Sequence, residues 1–158
     1  MRKNAATSVA TINGAPYPRV RSVSMNGWLN GNSATINLVY TEIITYHKTK
    51  DLTRPGPSQT YAFPDECPAT LDDDYFALLV TAPNCWLNWP GTWHAGGDCL
   101  SFADGHGEYH KWVDRNTLAA PLTSTGDLPA GASPHDVYWA QLHATAPVNS
   151  STPYPPAF

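Results

Sequence analysis

Between His94 and Trp112 the chain carries three histidines, two aspartates, a glutamate and a cysteine in nineteen residues. Within that stretch His106, Glu108 and His110 recur at every second position. On a strand such residues lie about 7 Å apart along the backbone, within reach of one cation for side chains of this length. Neutral imidazole and carboxylate suit zinc and several other metals. The same alternation is also the ordinary look of the solvated face of an antiparallel sheet.

Two kinds of chemistry fit these residues. In the first, His94, Asp104, His106 and Glu108, joined by Asp65 or Glu66, hold a cation with one open position. The cation, calcium or zinc, would polarise an ester or lactone carbonyl and activate water, with His94, His106 or Glu108 as the catalytic acid–base groups. In the second, the acids at Asp65, Glu66 and Asp72 to Asp74 collect around calcium, which takes six to eight oxygen ligands. The expected metal set is therefore Asp65, Glu66, Asp73, His94, Asp104 and His106. No EF-hand spacing supports it, and such acid runs commonly form solvated loops. A serine triad is disfavoured because G-x-S-x-G is absent. Cys99 with His110 is the better nucleophilic pair. Trp86, Trp89 and Trp93 could line a cleft for an acyl chain or a glycan, or could be core or interface. A carbohydrate-binding module is the third reading.

These side chains need a scaffold, and Asp104-Gly105 supplies its turn. Asp-Gly between strand-like runs signals a hairpin. A two-residue turn would set Ala103 opposite His106, Phe102 opposite Gly107, Leu100 opposite Tyr109 and Cys99 opposite His110. Leu100, Phe102 and Tyr109 would then enter the core. Cys99, Ser101, His106, Glu108 and His110 would share the other face. A one-residue slip exchanges the faces.

Further elements follow from pattern. QTYAF reads as a strand stopped by Pro64, and LDDDYFALLV as a loop entering a strand. In residues 33–47, alternation predicts a strand followed by a helical turn through Ile43, Ile44 and His47. Ser133 as cap, Pro134 at the first position and Asp136 after it start a helix through Leu142. The organisation expected is a flexible segment over 1–16, one globular domain over 17–144 and a Pro/Ser-rich tail over 145–158. Fifteen prolines and eleven glycines favour short strands and loops. The net charge of −4, without a basic patch, argues against nucleic acid. No apolar run is long enough to span a bilayer, and the first residues lack the apolar core of a signal peptide. Cys67, Cys85 and Cys99 contain no C-x-x-C; Cys85 could pair with Cys99, or all three could remain thiols.

The order RVRSVSMNGW, QTYAFPDE, DDDYF and WHAGGDCLSFADGHGEYHKW resembles the globular part of pseudopilin-like proteins of Verrucomicrobia and Planctomycetes. His94, nine residues and then Asp104-Gly105 is similar to their H-x(9)-D-G signature. SFADG is similar to the Ala-Asp-Gly stretch of the calcium loop in type II secretion major pseudopilins. The likeness covers roughly residues 19–114. It implies an α+β fold built on an antiparallel sheet with few short helices, a place in the cell envelope or outside it, and a role as a secretion or filament subunit. It also implies calcium near Asp104, and it supplies no catalytic residues. The hydrophobic helix that precedes the head in that family has no counterpart before Arg19. The sheet face it would cover is expected to find other cover, the N-terminal segment or a second subunit, and the partners expected are a second copy or secretion-system subunits.

Overall fold

Proline and glycine break the chain so often that its regular elements are short. The computed structural model describes residues 9–12, 15–18, 22–30, 41–71, 73–81, 85–119, 126–127 and 133–149. Their strands are β1 (Val9–Ile12), β2 (Ala15–Pro18), β3 (Met25–Asn26), β4 (Tyr61–Phe63), β5 (Tyr75–Phe76), β6 (Cys85–Trp86), β7 (Gly97–Phe102), β8 (Gly107–Lys111) and β9 (Gly126–Asp127). Two helices, α1 (Arg115–Leu118) and α2 (His135–Leu142), complete the set, with 3-10 turns at Thr49–Asp51 and Pro57–Gln59. The fold is α+β, with few short helices around an antiparallel sheet.

That sheet has the order β4-β7-β8. Its hairpin closes through Ala103, Asp104 and Gly105. Phe102 N–H donates to the His106 carbonyl (2.9 Å), and Gly105 N–H to the Phe102 carbonyl (2.9 Å). Gly105 takes φ +94°, the left-handed residue that three-residue hairpin turns require. The Asp104 carboxylate accepts the His106 N–H (3.1 Å), which holds the turn from outside. The ladder then pairs Ser101 with Gly107, Leu100 with Glu108, Cys99 with Tyr109, Asp98 with His110 and Gly97 with Lys111. The expected two-residue turn is one residue too short, and every pairing derived from it moves by one.

The other edge of the sheet is closed by side chain and loop. Tyr61 N–H donates to the His143 carbonyl (2.9 Å). Asn26 Nδ2 donates to the carbonyls of Tyr61 (3.0 Å) and Ala144 (2.8 Å). β3 lies parallel to β5, while β1 with β2 and β6 with β9 form antiparallel pairs. The core between these pieces holds Trp28, Trp86, Trp112, Tyr61, Phe76, Leu78 and Val137.

α2 is joined to the end of β8 by an exchange of carboxylates. Asp136 accepts N–H groups of Val113 (3.0 Å) and Asp114 (2.9 Å), while Asp114 accepts the N–H of Asp136 (2.8 Å). Each acid satisfies donors that the other's element leaves open. Pro134 occupies the cap position expected for Ser133, whose hydroxyl meets His135 Nδ1 instead.

Residues 43–46 are extended, not helical. Ile43 bridges to Pro147, Tyr46 bridges to Leu29, and Ile44 N–H donates to the Ala146 carbonyl. Tertiary pairing overrides the helical spacing, and residues 33–40 lie outside the described residues. Residues 145–148, assigned above to the tail, form the partner of that extended piece, and 150–158 lie outside the described residues. Of the segment 1–16, residues 9–12 and 15–16 belong to the β1–β2 pair, and the rest is outside them.

Gly97 is where the hairpin tolerates least. A Cβ there would sit 2.3 Å from the His110 carbonyl oxygen and 2.7 Å from the Tyr109 ring. Gly97→Ala is expected to cost about 2–3 kcal/mol in urea unfolding, the scale of overpacking in a well-filled site. Gly56→Ala, where nothing lies within 4 Å, is expected to stay within about 0.5 kcal/mol of the parent.

Candidate functional site

The three-residue turn redistributes the expected chemistry. Asp98, Leu100 and Phe102 point into the core, and their partners His110, Glu108 and His106 share that side of the sheet. The His106 ring stacks on Phe102 with centroids 4.4 Å apart. Tyr109, expected inside, lies on the outer face opposite Cys99 and is 48% exposed. The expected separation of Phe102 from the imidazoles is therefore corrected. The Cys99–His110 pair also dissolves, because His110 faces Asp98.

Asp98 was not among the candidate residues, yet it anchors the most constrained polar cluster. Asp98 Oδ1 accepts the N–H of Asp65 (3.0 Å). Asp65 in turn accepts from His94 Nε2 at Oδ2 (2.7 Å) and from the Ser22 hydroxyl at Oδ1 (3.3 Å). Asp65 also gives its carbonyl to the N–H of Gly91 (2.8 Å). Gly91 is bare because the Trp93 ring and Asp65 Cβ fill the space where its side chain would be. Thus the His94 loop, the end of β4 and the start of β7 meet at two carboxyls.

The two carboxyls differ in surroundings. Asp98 is fully buried, and its Oδ2 has no hydrogen-bond partner among the described residues. Burial pushes its pKa up to about 8, opposed by the N–H of Asp65 and reinforced by the Asp65 charge. The gap beside it, lined by Tyr61, Phe76, Leu100, Trp112 and Trp139 among others, has no room for a water molecule. His94 is open to solvent on its other side, with 46% of its side chain exposed. No hydroxyl or thiol hydrogen-bonds to its imidazole among the described residues; the Tyr109 hydroxyl donates to its backbone carbonyl (3.0 Å). The cluster joins these three segments.

The remaining candidates are spread out. Glu66 is fully buried and takes the Ser24 hydroxyl and Asn88 Nδ2 (2.7 Å). Asp73 accepts the Tyr75 N–H (2.7 Å) on the surface, and Asp72 lies outside the described residues. At the exposed turn Asp104 accepts the His106 N–H (3.1 Å) and meets His106 Nδ1 (2.6 Å), and these two bonds, the backbone one foremost, hold its carboxyl below the ordinary range. Glu108 is exposed. Among the described residues no three His, Cys, Asp or Glu side chains converge where they could hold a metal ion, so the residues do not fit calcium or zinc as a set. Trp86 and Trp89 are buried and stacked at 5.7 Å, leaving Trp93 alone exposed, so the three do not line a cleft. Cys67 is buried, Cys85 half-buried and Cys99 exposed, and no disulfide joins them. No described helix is long and apolar enough to cross a membrane.

No protein-family model matches the chain, and no curated protein or solved structure matches it significantly.

A second cluster packs α2 against the sheet. The Trp139 ring stacks with both His110 (3.6 Å) and His143 (4.1 Å). Burial, with the charge of His143, lowers His110 to about 4. Burial lowers His143 too, against the Trp139 carbonyl and the charge of Glu108. His110 therefore favours the folded state above its ordinary value of 6.5 and loses that contribution as pH falls toward 4. Asp98 has the opposite sign. It keeps its proton in the folded chain while the unfolded chain loses it near 3.8, so stability falls as pH rises toward 8. The two oppose each other below 6.5, and Asp98 acts without that opposition above it. Stability should fall between pH 6.5 and 8 with a slope up to about 1.4 kcal/mol per pH unit. Asp98→Asn keeps the acceptor for Asp65 N–H and cannot ionise. Urea unfolding at pH 5, 6.5 and 8 should show the decline above 6.5 in the parent and its loss in the variant.

Proposed function

We propose that this chain is the head domain of a pseudopilin-like envelope subunit, a structural and assembly module whose H-x(9)-D-G signature serves folding. The observation that carries this reading is the engagement of both signature positions in holding the chain together. His94 fastens its loop to Asp65, just past the end of β4 and beside the start of β7, while Asp104 holds the turn at the far end of the same hairpin. The order of motifs along residues 19–114 supports the family; the burial of Asp98, Trp86 and Trp89 supports a role without turnover. An extracellular or envelope location and secretion-subunit partners belong to the same proposal.

The purified chain should hydrolyse neither acyl esters nor acyl lactones. His94→Ala should lower unfolding free energy by about 1 kcal/mol, the scale of one partly exposed charged hydrogen bond. Calcium, the cation the resemblance implies, is tested by the same unfolding curves with and without chelator. A calcium-dependent rise in Tm that disappears in Asp104→Asn would return calcium to the turn. Chelator-sensitive ester or lactone hydrolysis, abolished in a folded His94→Ala variant, would replace this reading with the metal-dependent hydrolase.

A further inference from the structure

We propose that the cavity lined by Arg54, Pro55, Gln59, Leu142 and His143 binds inorganic hydrogen phosphate, with Arg54 taking its charge and His143 Nε2 accepting its hydroxyl.

The cavity measures about 300 Å³. It lies between the approach to the Pro57–Gln59 turn and the end of α2. Arg54 is the cation in its wall. Its guanidinium donates through Nη2 to the Pro147 carbonyl, which anchors the side chain. Among the described residues no carboxylate forms an ion pair with it. A guanidinium carries several N–H donors in one plane, so most remain for a ligand. Gln59 adds a side-chain amide to the same wall.

His143 decides what else the ligand must carry. Its Nδ1 lies 2.7 Å from the Trp139 carbonyl. A carbonyl only accepts, so Nδ1 holds the ring proton and Nε2 keeps a lone pair. The ring is fixed by stacking on Trp139 at 4.1 Å. Burial disfavours a second proton on it. Nε2 is therefore an acceptor near neutral pH.

The occupant follows by matching these groups. Arg54 repels a cation, and a neutral molecule leaves its charge unanswered. Sulfate or a simple carboxylate answers Arg54 but sets an oxygen lone pair against Nε2. Hydrogen phosphate joins negative oxygens, which suit the guanidinium fork, to a P–O–H that donates to Nε2. A phosphodiester has no such proton. A phosphomonoester has mostly shed it at pH 7, since its second pKa is about 6. Charge along the chain agrees: Lys48, Lys50 and Arg54 face one acid, Asp51, over residues 47–54, within a chain of net charge −4. Glu108 on β8 opposes it, because its charge reaches His143, but it does not line the cavity. Pro55 and Leu142 supply apolar wall, which strengthens the charged hydrogen bonds beside it.

This inference goes beyond the assembly reading and does not rest on it. The test is nuclear magnetic resonance of the full chain at pH 7 and constant ionic strength, titrated separately with phosphate, sulfate, phenyl phosphate and lactate. Phosphate should give saturable shifts at the Arg54 and His143 side chains. Sulfate and phenyl phosphate should bind about tenfold more weakly or worse, for want of one charged hydrogen bond. Arg54→Gln should weaken phosphate by a similar factor. His143→Asn can still donate to the Trp139 carbonyl but loses the Nε2 acceptor, so it should erase the preference for phosphate over sulfate. Folding of both variants is read from the near-ultraviolet dichroism of the buried tryptophans. The absence of saturable shifts at Arg54 and His143 overturns the proposal. So do equal affinities for phosphate and sulfate, tighter binding of lactate than of phosphate, or a phosphate preference that survives in folded His143→Asn.

Discussion

Gly105 takes a positive φ, and the chain between Phe102 and His106 closes in three residues. That local constraint fixes the register of the longest strand pair in the described fold, and the register decides which side every side chain of β8 meets. It sets His110 opposite Asp98 and brings both toward α2. It stacks His106 on Phe102 and sends Tyr109 across Gly97 to the His94 loop. It also determines which backbone groups of β8 face β7 and which face outward. A change in turn length by one residue would reverse all of these together.

Short strands give this fold little ladder to rely on, so side chains carry much of the connection between segments. Asn26 ties β4 to the chain after α2, and Glu66 ties Ser24 to Asn88 across more than sixty residues. Asp114 and Asp136 exchange backbone donors, and Asp65 gathers Ser22, Gly91, His94 and Asp98. Buried polar groups of this kind are expensive unless partnered, and once partnered they admit few alternative arrangements. The tryptophan-rich core provides the burial, while these ties specify how the loops are placed on it. A sequence crowded with acids and histidines can therefore be a sequence crowded with ties.

How much of this was legible depended on the range of the interaction that decided it. The hairpin, β4 with its stop at Pro64, the strand at Tyr75 and the helix toward Leu142 rest on local chemistry and could be read. The length of the turn could not, because Asp-Gly suits two-residue and three-residue turns alike. The extended course of residues 43–46 comes from Leu29 and Pro147, which no local window contains. Asp98 could have been found: parity along a single strand places it with Leu100 and Phe102 whatever the turn does. The alternation of His106, Glu108 and His110 does not point to it, because a two-residue turn would set those side chains on the face opposite Leu100 and Phe102. The meeting of His94 with Asp65 is long-range, and spacing alone does not contain it.

A carboxyl raised to about 8 is a common mark of catalytic machinery, and here the same shift has a different origin. Catalytic acids are raised by an environment that a substrate can enter. Asp98 is raised by one that excludes even water, and its single bonded oxygen serves the backbone of Asp65. The neutral acid keeps a charge out of the core while retaining a hydrogen-bond acceptor at the junction of three segments. His94 shows the complementary case: it is open to solvent, but the nitrogen that faces the protein is committed to Asp65. Accessibility and perturbed protonation are thus divided between two residues. Joining them in one reactive centre would require the His94 loop to leave the sheet, which breaks the contacts that create the perturbation.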